Sequence, residues 1–258
     1  MSSADGQPND TPGDTVRVAV HRRTRSVTLD RPDRGNALDH ATVVALHREL
    51  DRAEADPDCV AFSISGAGTA FCAGADVTES IGLLDRPDDL LAHFTLAREF
   101  ADRLATGRLV SVAVVHGLAA AGGLELVAAC DLVVAGRSAR FADRHARFGF
   151  VPAFGATARL TRRLPRAVAA WLLLGDGELD ADAAHRAGLV SIVVDDDGLG
   201  RTVDDLHDRL AGLDATALES IKRLMDDPAE AASVADEARA VAAHLAAGGY
   251  RMPERPLR

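Results

Sequence analysis

The chain has 258 residues, 47% hydrophobic and 26% charged, a balance compatible with one α/β domain, or one domain plus a helical appendage, that buries a sizeable core. Its 29 basic residues stand against 39 acidic ones, for a net charge of −10, which argues against a nucleic-acid partner or an anionic membrane surface. No apolar run is long enough to cross a bilayer, and three cysteines (Cys59, Cys72, Cys130) with neither metal-ligand nor disulfide spacing fit reduced thiols, a cytoplasmic setting and no metal site.

Residues 1–14, rich in Ser, Asp, Gly and Pro, read as a disordered leader without an apolar signal-peptide segment. The patterning then divides into a core over 15–197 and a C-terminal helical region over 198–258. Val16–Val20 and Ser26–Leu29 predict a hairpin. Asp39 is placed to cap a helix running to about Ala53, with Val43, Val44, Leu46, Leu50 and Ala53 on its apolar face. Cys59–Ser65 reads as a strand. The Gly66-Ala67-Gly68 that follows is not a dinucleotide fingerprint, because Phe71 stands where a third glycine is needed, and no glycine-rich loop ends in Gly-Lys.

From Val77 to about Leu109 the pattern predicts a short helix, a break at Pro87 and an amphipathic helix over Leu90–Leu104. Ser111–Val115 and Leu132–Ala135 read as strands flanking a helix at Gly122–Cys130, which suggests βαβ units with right-handed crossovers. Beyond Phe154 the chain is mostly helical, with one strand at Val190–Val194 and late helices at Leu199–Ala211, Ala215–Met225 and Ala229–Ala247.

Two stretches carry the chemistry: Phe71-Cys72-Ala73-Gly74-Ala75-Asp76, and Gly117-Leu118-Ala119-Ala120-Ala121-Gly122-Gly123-Leu124-Glu125-Leu126. Each follows a buried-strand pattern and ends where a helix begins, and small residues at such junctions leave backbone N–H groups open to a ligand. Side by side, two junctions can aim two donors at one oxygen, the arrangement that holds a thioester carbonyl as it becomes an enolate. Glu125, one turn into the second segment, is then the acid or base beside it, since an acid on an apolar helix is costly to bury without a role. The alternative is an exposed helix residue or a partner of a nearby arginine. Asp143 and His145, two apart, face the same side in extended chain and can form an orienting pair; otherwise they belong to a solvated charged turn with Arg144 and Arg147. Arg159, Arg162, Arg163 and Arg166 are spaced as the polar face of an amphipathic helix rather than as a phosphate or RNA patch.

Together with Ser26–Leu38 upstream and Val151–Leu160 downstream, these ordered segments resemble the crotonase (enoyl-CoA hydratase/isomerase) superfamily from about Val16 to about Met225. The resemblance implies an α/β spiral of ββα units with a C-terminal helical trimerisation region, assembled as a homotrimer or a dimer of trimers. It implies an acyl-CoA thioester substrate and no cofactor beyond the CoA moiety. Carried over residue by residue, the N–H groups of Ala75 and Gly122 match the oxyanion-hole donors, and Ala121 in place of the usual glycine is expected to leave those donors unaffected. Glu125 matches the first of two glutamates that hold water in the hydratases. His145 stands where the second is expected, so either His145 partners Glu125 or the site works with one acid. Arg31 and Arg34 fall where the family contacts the CoA phosphates and adenine, partly through backbone near Ala37. Phe71, Ala73 and Asp76 should shape the pantetheine and adenine path, with Asp76 also able to cap a helix. The C-terminal Gly248–Pro256 is short and proline-broken, and its Tyr250 is either a site hydroxyl or a docking residue.

The function so implied is hydration or dehydration of an enoyl-CoA. Rivals on the same fold are C–C bond hydrolysis of a β-dicarbonyl substrate, for which an Asp–His pair suits water activation, and double-bond isomerisation. A rival of another class is a non-catalytic relative that binds acyl-CoA, RNA or a partner protein.

Overall fold

The first hairpin forms as the alternation dictates, in a computed structural model that describes residues 15–225 and the single positions 242 and 246. Strands β1 (Val16–His21) and β2 (Thr24–Leu29) pair antiparallel, with Val16 opposite Leu29. Helix α1 (His40–Ala55) starts at Asp39, whose Oδ1 accepts from the Thr42 N–H at 2.8 Å. Its core stripe is Val43, Leu46, Leu50 and Ala53, of which the three larger side chains each contribute about 1.5–3 kcal/mol by burial. Val44 departs from the expected stripe. It is 45% exposed, and Ala45 and Glu49 are buried instead, because the apolar face is centred on the 43/46/50 row.

From β3 (Ala61–Gly66) onward one pattern recurs. Each unit contributes a long strand to a large sheet, a three-residue strand to a small sheet, and then helix. The first comprises β3, β4 (Ala70–Cys72), α2 (Val77–Gly82) and α3 (Pro87–Thr106). The second comprises β5 (Val110–Val115), β6 (Leu118–Ala120) and α4 (Gly122–Ala129). In the third, β7 (Leu132–Gly136) and β8 (Arg140–Ala142) lead through a 3-10 turn at His145–Phe148 to α5 (Ala156–Arg163) and α6 (Arg166–Leu173). The chain continues through β9 (Glu178–Asp180), α7 (Ala181–Ala187), β10 (Ile192–Val194), α8 (Leu199–Ala211) and α9 (Ala215–Met225).

The large sheet runs β1-β2-β3-β5-β7-β10 and the small one β4-β6-β8-β9; all pairings are parallel except β1–β2 and β8–β9. This is the expected α/β spiral of ββα units. The small sheet escaped the sequence reading because three-residue strands give too short an alternation to register. The expected break between two helices falls at 83–86, and Pro87 opens α3 at its first turn, where its missing N–H costs nothing.

One face of the large sheet, with α1, α3 and α4, forms the main core around Phe62, Ile64, Phe100 and Val133. The other face, Val112, Val114 and Val134, is covered by Leu199, Leu206 and Leu210 of α8. The described part of the C-terminal region therefore packs on the core sheet. Helix α9 is fastened by Lys222, whose Nζ donates to the carbonyls of Leu104 and Leu109 at 2.7 Å and pairs with Asp131 at 2.8 Å. The leader at 1–14, the expected helix at 229–247 and Tyr250 lie outside the described residues.

Candidate active site

The two glycine-rich junctions meet where β4 and β6 lie side by side. Gly74 has φ +101°, and a Cβ there would sit 2.8 Å from the Gly122 nitrogen, so only glycine permits the approach. A Cβ on Gly123 would lie 2.2 Å from the Cys72 carbonyl oxygen, so α4 rests directly on β4. Leu38 N–H donates to Gly74 O and Asp76 N–H to Leu38 O. In this parallel bridge the Ala75 N–H between them points the other way. Gly122 opens α4, where the first N–H groups have no helical acceptor. Neither the Ala75 nor the Gly122 N–H meets an acceptor among the described residues. The N-terminus of the wholly buried α4 adds a favourable field for an oxyanion.

Ala121 precedes Gly122 with φ +47° and ψ −120°. Glycine reaches this region freely and alanine does so at a cost. The substitution keeps the donors in place, but the junction is strained by it, which the sequence reading did not foresee.

Glu125 points from α4 into a sealed position at 0% side-chain exposure. Its Oε1 accepts from the N–H groups of Phe154 at 2.7 Å and Ala156 at 3.1 Å. Its Oε2 has no aligned hydrogen bond among the described residues, but lies 3.4 Å from Nε2 of His145. His145 in turn donates from Nδ1 to Asp143 Oδ1 at 2.9 Å. Asp143 is buried, and its Oδ2 accepts from the His145 backbone N–H at 3.2 Å.

The Asp143–His145 pairing arises differently from the extended-chain argument. The chain turns at Arg144, φ +67°, and His145 begins the 3-10 turn, so a local side-chain-to-backbone turn makes the pair. Burial alone would lower the His145 pKa, but the hydrogen bonds and charges of Asp143 and Glu125 outweigh it and raise it to about 10. At neutral pH the ring is an imidazolium between two carboxyl groups.

A cavity of about 330 Å³ opens in front of this pair, bordered by Ala73, Ala75, Ala121, His145 and a set of phenylalanines. His145, at 14% side-chain exposure, lies at the wall with Glu125 behind it. The structure thus brings together Ala75, Gly122, Glu125, Asp143 and His145.

The remaining expected positions separate. Ala73 is exposed and borders the cavity. Arg31 is held inside the fold, donating to Ala37 O at 2.6 Å and Asp76 Oδ2 at 3.0 Å and pairing with Asp39 at 3.1 Å. Ala37 is buried, and Arg34 is exposed on the turn before α1. Asp76 caps α2 by accepting from the Thr78 and Glu79 N–H groups. Burial pushes its carboxyl upward, but the Glu79 N–H and the Arg31 guanidinium prevail and hold it below the usual value. Phe71 is fully buried in the core and does not border the cavity.

Sequence reasoning missed the groups that fix Glu125. The N–H groups of Phe154 and Ala156 belong to a loop clamped by Arg159, which donates to the Phe154 carbonyl and pairs with Asp102 of α3. Arg159 is buried, and Arg163 donates to Cys130 O at 2.7 Å, so these two arginines are internal ties rather than one solvent-facing patch. Only the run Phe154-Gly155-Ala156 hinted at the clamp.

Comparison with known proteins adds relatives at this point. The sequence profile of the enoyl-CoA hydratase/isomerase family matches residues 22–247. A probable enoyl-CoA hydratase of Rhizobium meliloti is 38% identical over 190 residues, 72% of this chain and 71% of that protein. A 2,3-dehydroadipyl-CoA hydratase of Escherichia coli is 32% identical over 216 residues, 83% of each chain. The crystal structure of an enoyl-CoA hydratase from Mycobacterium tuberculosis superposes with a TM-score of 0.79 at 31% identity, covering 91% of this chain and 100% of that one.

Proposed function

Because the chain belongs to the enoyl-CoA hydratase/isomerase family, we propose that it adds water across the α,β double bond of an enoyl-CoA thioester, and removes it in reverse. The observation that carries this reading is one cavity bordered by Ala75, by Ala121 next to Gly122 and by His145, with the unengaged Ala75 and Gly122 N–H groups beside it and Glu125 directly behind the histidine.

The thioester oxygen sits between the Ala75 and Gly122 N–H groups, which stabilise it as charge accumulates. A water at the shared edge of Glu125 Oε2 and His145 Nε2 gives a proton to Glu125 while its oxygen bonds to Cβ. The imidazolium gives its Nε2 proton to Cα, and the proton on Glu125 passes back to His145. One water is added and the site is restored. Oε1, held by two backbone N–H groups, fixes the carboxyl so that only Oε2 reacts.

A histidine that activates water as a base must be neutral. Two carboxyl groups hold this one protonated, which favours the proton-donor role and disfavours an Asp–His water-activating hydrolase.

The CoA moiety is the only cofactor this chemistry calls for; Ala73 is exposed and borders the cavity, and the exposed Arg34 is available to its phosphates. We assign a homotrimer or dimer of trimers, supported by exposed Trp171 on α6, Leu174 just after it, and Ile221 and Met225 on α9; light scattering on the purified protein tests it. Buried free cysteines support a cytoplasmic setting, and among the described residues no helix is long and apolar enough to cross a membrane.

The reaction is tested with crotonyl-CoA in H₂¹⁸O, following loss of enoyl-thioester absorbance together with mass. Uptake of one labelled water, abolished in Glu125→Gln and sharply reduced in His145→Ala, is expected. Solvent deuterium uptake without net water addition, across a series of acyl chains, would instead establish an isomerase.

A further inference from the structure

Four of the eight phenylalanines in the chain, Phe94, Phe148, Phe150 and Phe154, border the cavity in front of the reacting pair. Phe94 stands edge-on to Phe150, with centroids 6.2 Å apart and planes at 80°, and to Phe154, also at 6.2 Å and at 65°. Phe154 is fixed beside the oxyanion donors. Its N–H is bound to Glu125, and a Cβ on Gly122 would lie 2.5 Å from its ring.

Two arginines, Arg144 and Arg147, border the same cavity. Both are anchored on Asp176, and Arg144 also donates to Glu178 at 2.8 Å. Their charge is already balanced by carboxylates, so the wall does not demand an acidic acyl tail.

A saturated chain on this wall gains burial alone. An aromatic ring gains in addition from edge-to-face contacts. Resting on the hydration reading above, we propose that the acyl group carries an aromatic ring on Cβ, which makes the substrate an aryl-substituted enoyl-CoA of the cinnamoyl class. The thioester oxygen at Ala75 and Gly122 and the double bond beside His145 leave the β-substituent to meet Phe94, Phe150 and Phe154.

Conjugation with the ring favours the alkene, so the reaction is read in the dehydrating direction. There the Cβ hydroxyl and one Cα proton leave together as water. The experiment compares 3-hydroxy-3-phenylpropionyl-CoA with 3-hydroxynonanoyl-CoA, equal in acyl carbon count, and includes 3-hydroxybutyryl-CoA as the small reference. The expected result is a kcat/KM about tenfold higher for the aryl thioester than for the nonanoyl one, equivalent to about 1.4 kcal/mol in the barrier. The ratio should fall toward one in Phe94→Leu and in Phe150→Leu, which keep apolar bulk and lose the ring.

Equal or better dehydration of the nonanoyl thioester overturns the aryl assignment and leaves the hydratase reading standing. If none of the three is dehydrated, the hydratase reading fails, and the aryl assignment is decided by calorimetric binding of 3-phenylpropionyl-CoA against nonanoyl-CoA. About tenfold tighter binding of the aryl ligand then upholds it, and equal or weaker binding overturns it.

Discussion

Glu49 on α1 and Glu125 on α4 are enclosed to the same degree, at 1% and 0% side-chain exposure, yet their surroundings are opposite. Glu49 is saturated. Arg52 and Arg48 donate to its Oε1 at 2.6 and 3.1 Å, and Arg25 to its Oε2 at 2.9 Å. Those guanidiniums reach solvent, so the cluster ties β2 to α1 and leaves no oxygen for chemistry. Glu125 is bound on one oxygen by two backbone N–H groups, while the other faces, at 3.4 Å, the ring of His145, which borders the cavity. Burial by itself therefore does not mark a reacting acid. On the proposed mechanism the mark is an oxygen left without an aligned donor behind the cavity wall, because that oxygen can still change its partner during a reaction.

The contrast breaks most sharply at the two acids themselves. Glu125→Gln keeps an acceptor for the Phe154 and Ala156 N–H groups, so the fold should survive while kcat falls about 10²–10⁴-fold; stopped-flow hydration rates and a thermal melt on the same sample check both halves. Glu49→Ala should do the reverse. It leaves kcat near the wild-type value but lowers unfolding free energy by about 1–3 kcal/mol in urea titration, less than a fully sealed pair would cost because the arginines can turn to water. Loss of turnover in Glu49→Ala at full stability would erase the distinction.

Asp143→Asn sharpens the electrostatic half. Removing one of the two carboxyl groups that hold His145 protonated should move the alkaline fall of kcat/KM to lower pH, by about one unit or more. The same linkage acts on stability. His145 has a folded pKa raised from 6.5 to about 10, so its contribution is complete below about 6.5 and is lost as pH rises through about 10. His145→Gln should flatten that part of the stability profile, and an unchanged slope between those values would contradict the imidazolium assignment.

The smallest effect belongs to the strained neighbour of the oxyanion donors. Ala121→Gly should stabilise the protein by about 1 kcal/mol, since relief of the left-handed strain exceeds the added unfolded-state freedom. Denaturant midpoints resolve a change of that size.

Much of the architecture could be read from local pattern. Asp39 capping α1, the alternating hairpin and the strand–junction–helix order of both glycine-rich segments are short-range signals that neighbouring residues either satisfy or violate. The pairing of Asp143 with His145 was also legible, though it comes from a turn at Arg144 and not from an extended strand. The small sheet was not legible, because strands as short as Ala70–Cys72 or Arg140–Ala142 exist only by pairing with partners far along the chain. The roles of the arginines were not legible either. Arg31 has the same local spacing whether it faces a phosphate or folds back onto Asp76, and only the packing of α2 against the loop before α1 chose the second.

The family, the spiral of strands and helices, and two small-residue junctions with open backbone N–H groups were therefore legible in the sequence, because small residues at a strand-to-helix junction act through the backbone and need no distant partner. Only tertiary structure left Oε2 of Glu125 without an aligned donor, set His145 between two carboxyl groups that raise its pKa, and lined the wall in front of them with phenylalanines. Each of those depends on groups brought together from separate segments, where the identity of a residue says nothing about what it will touch.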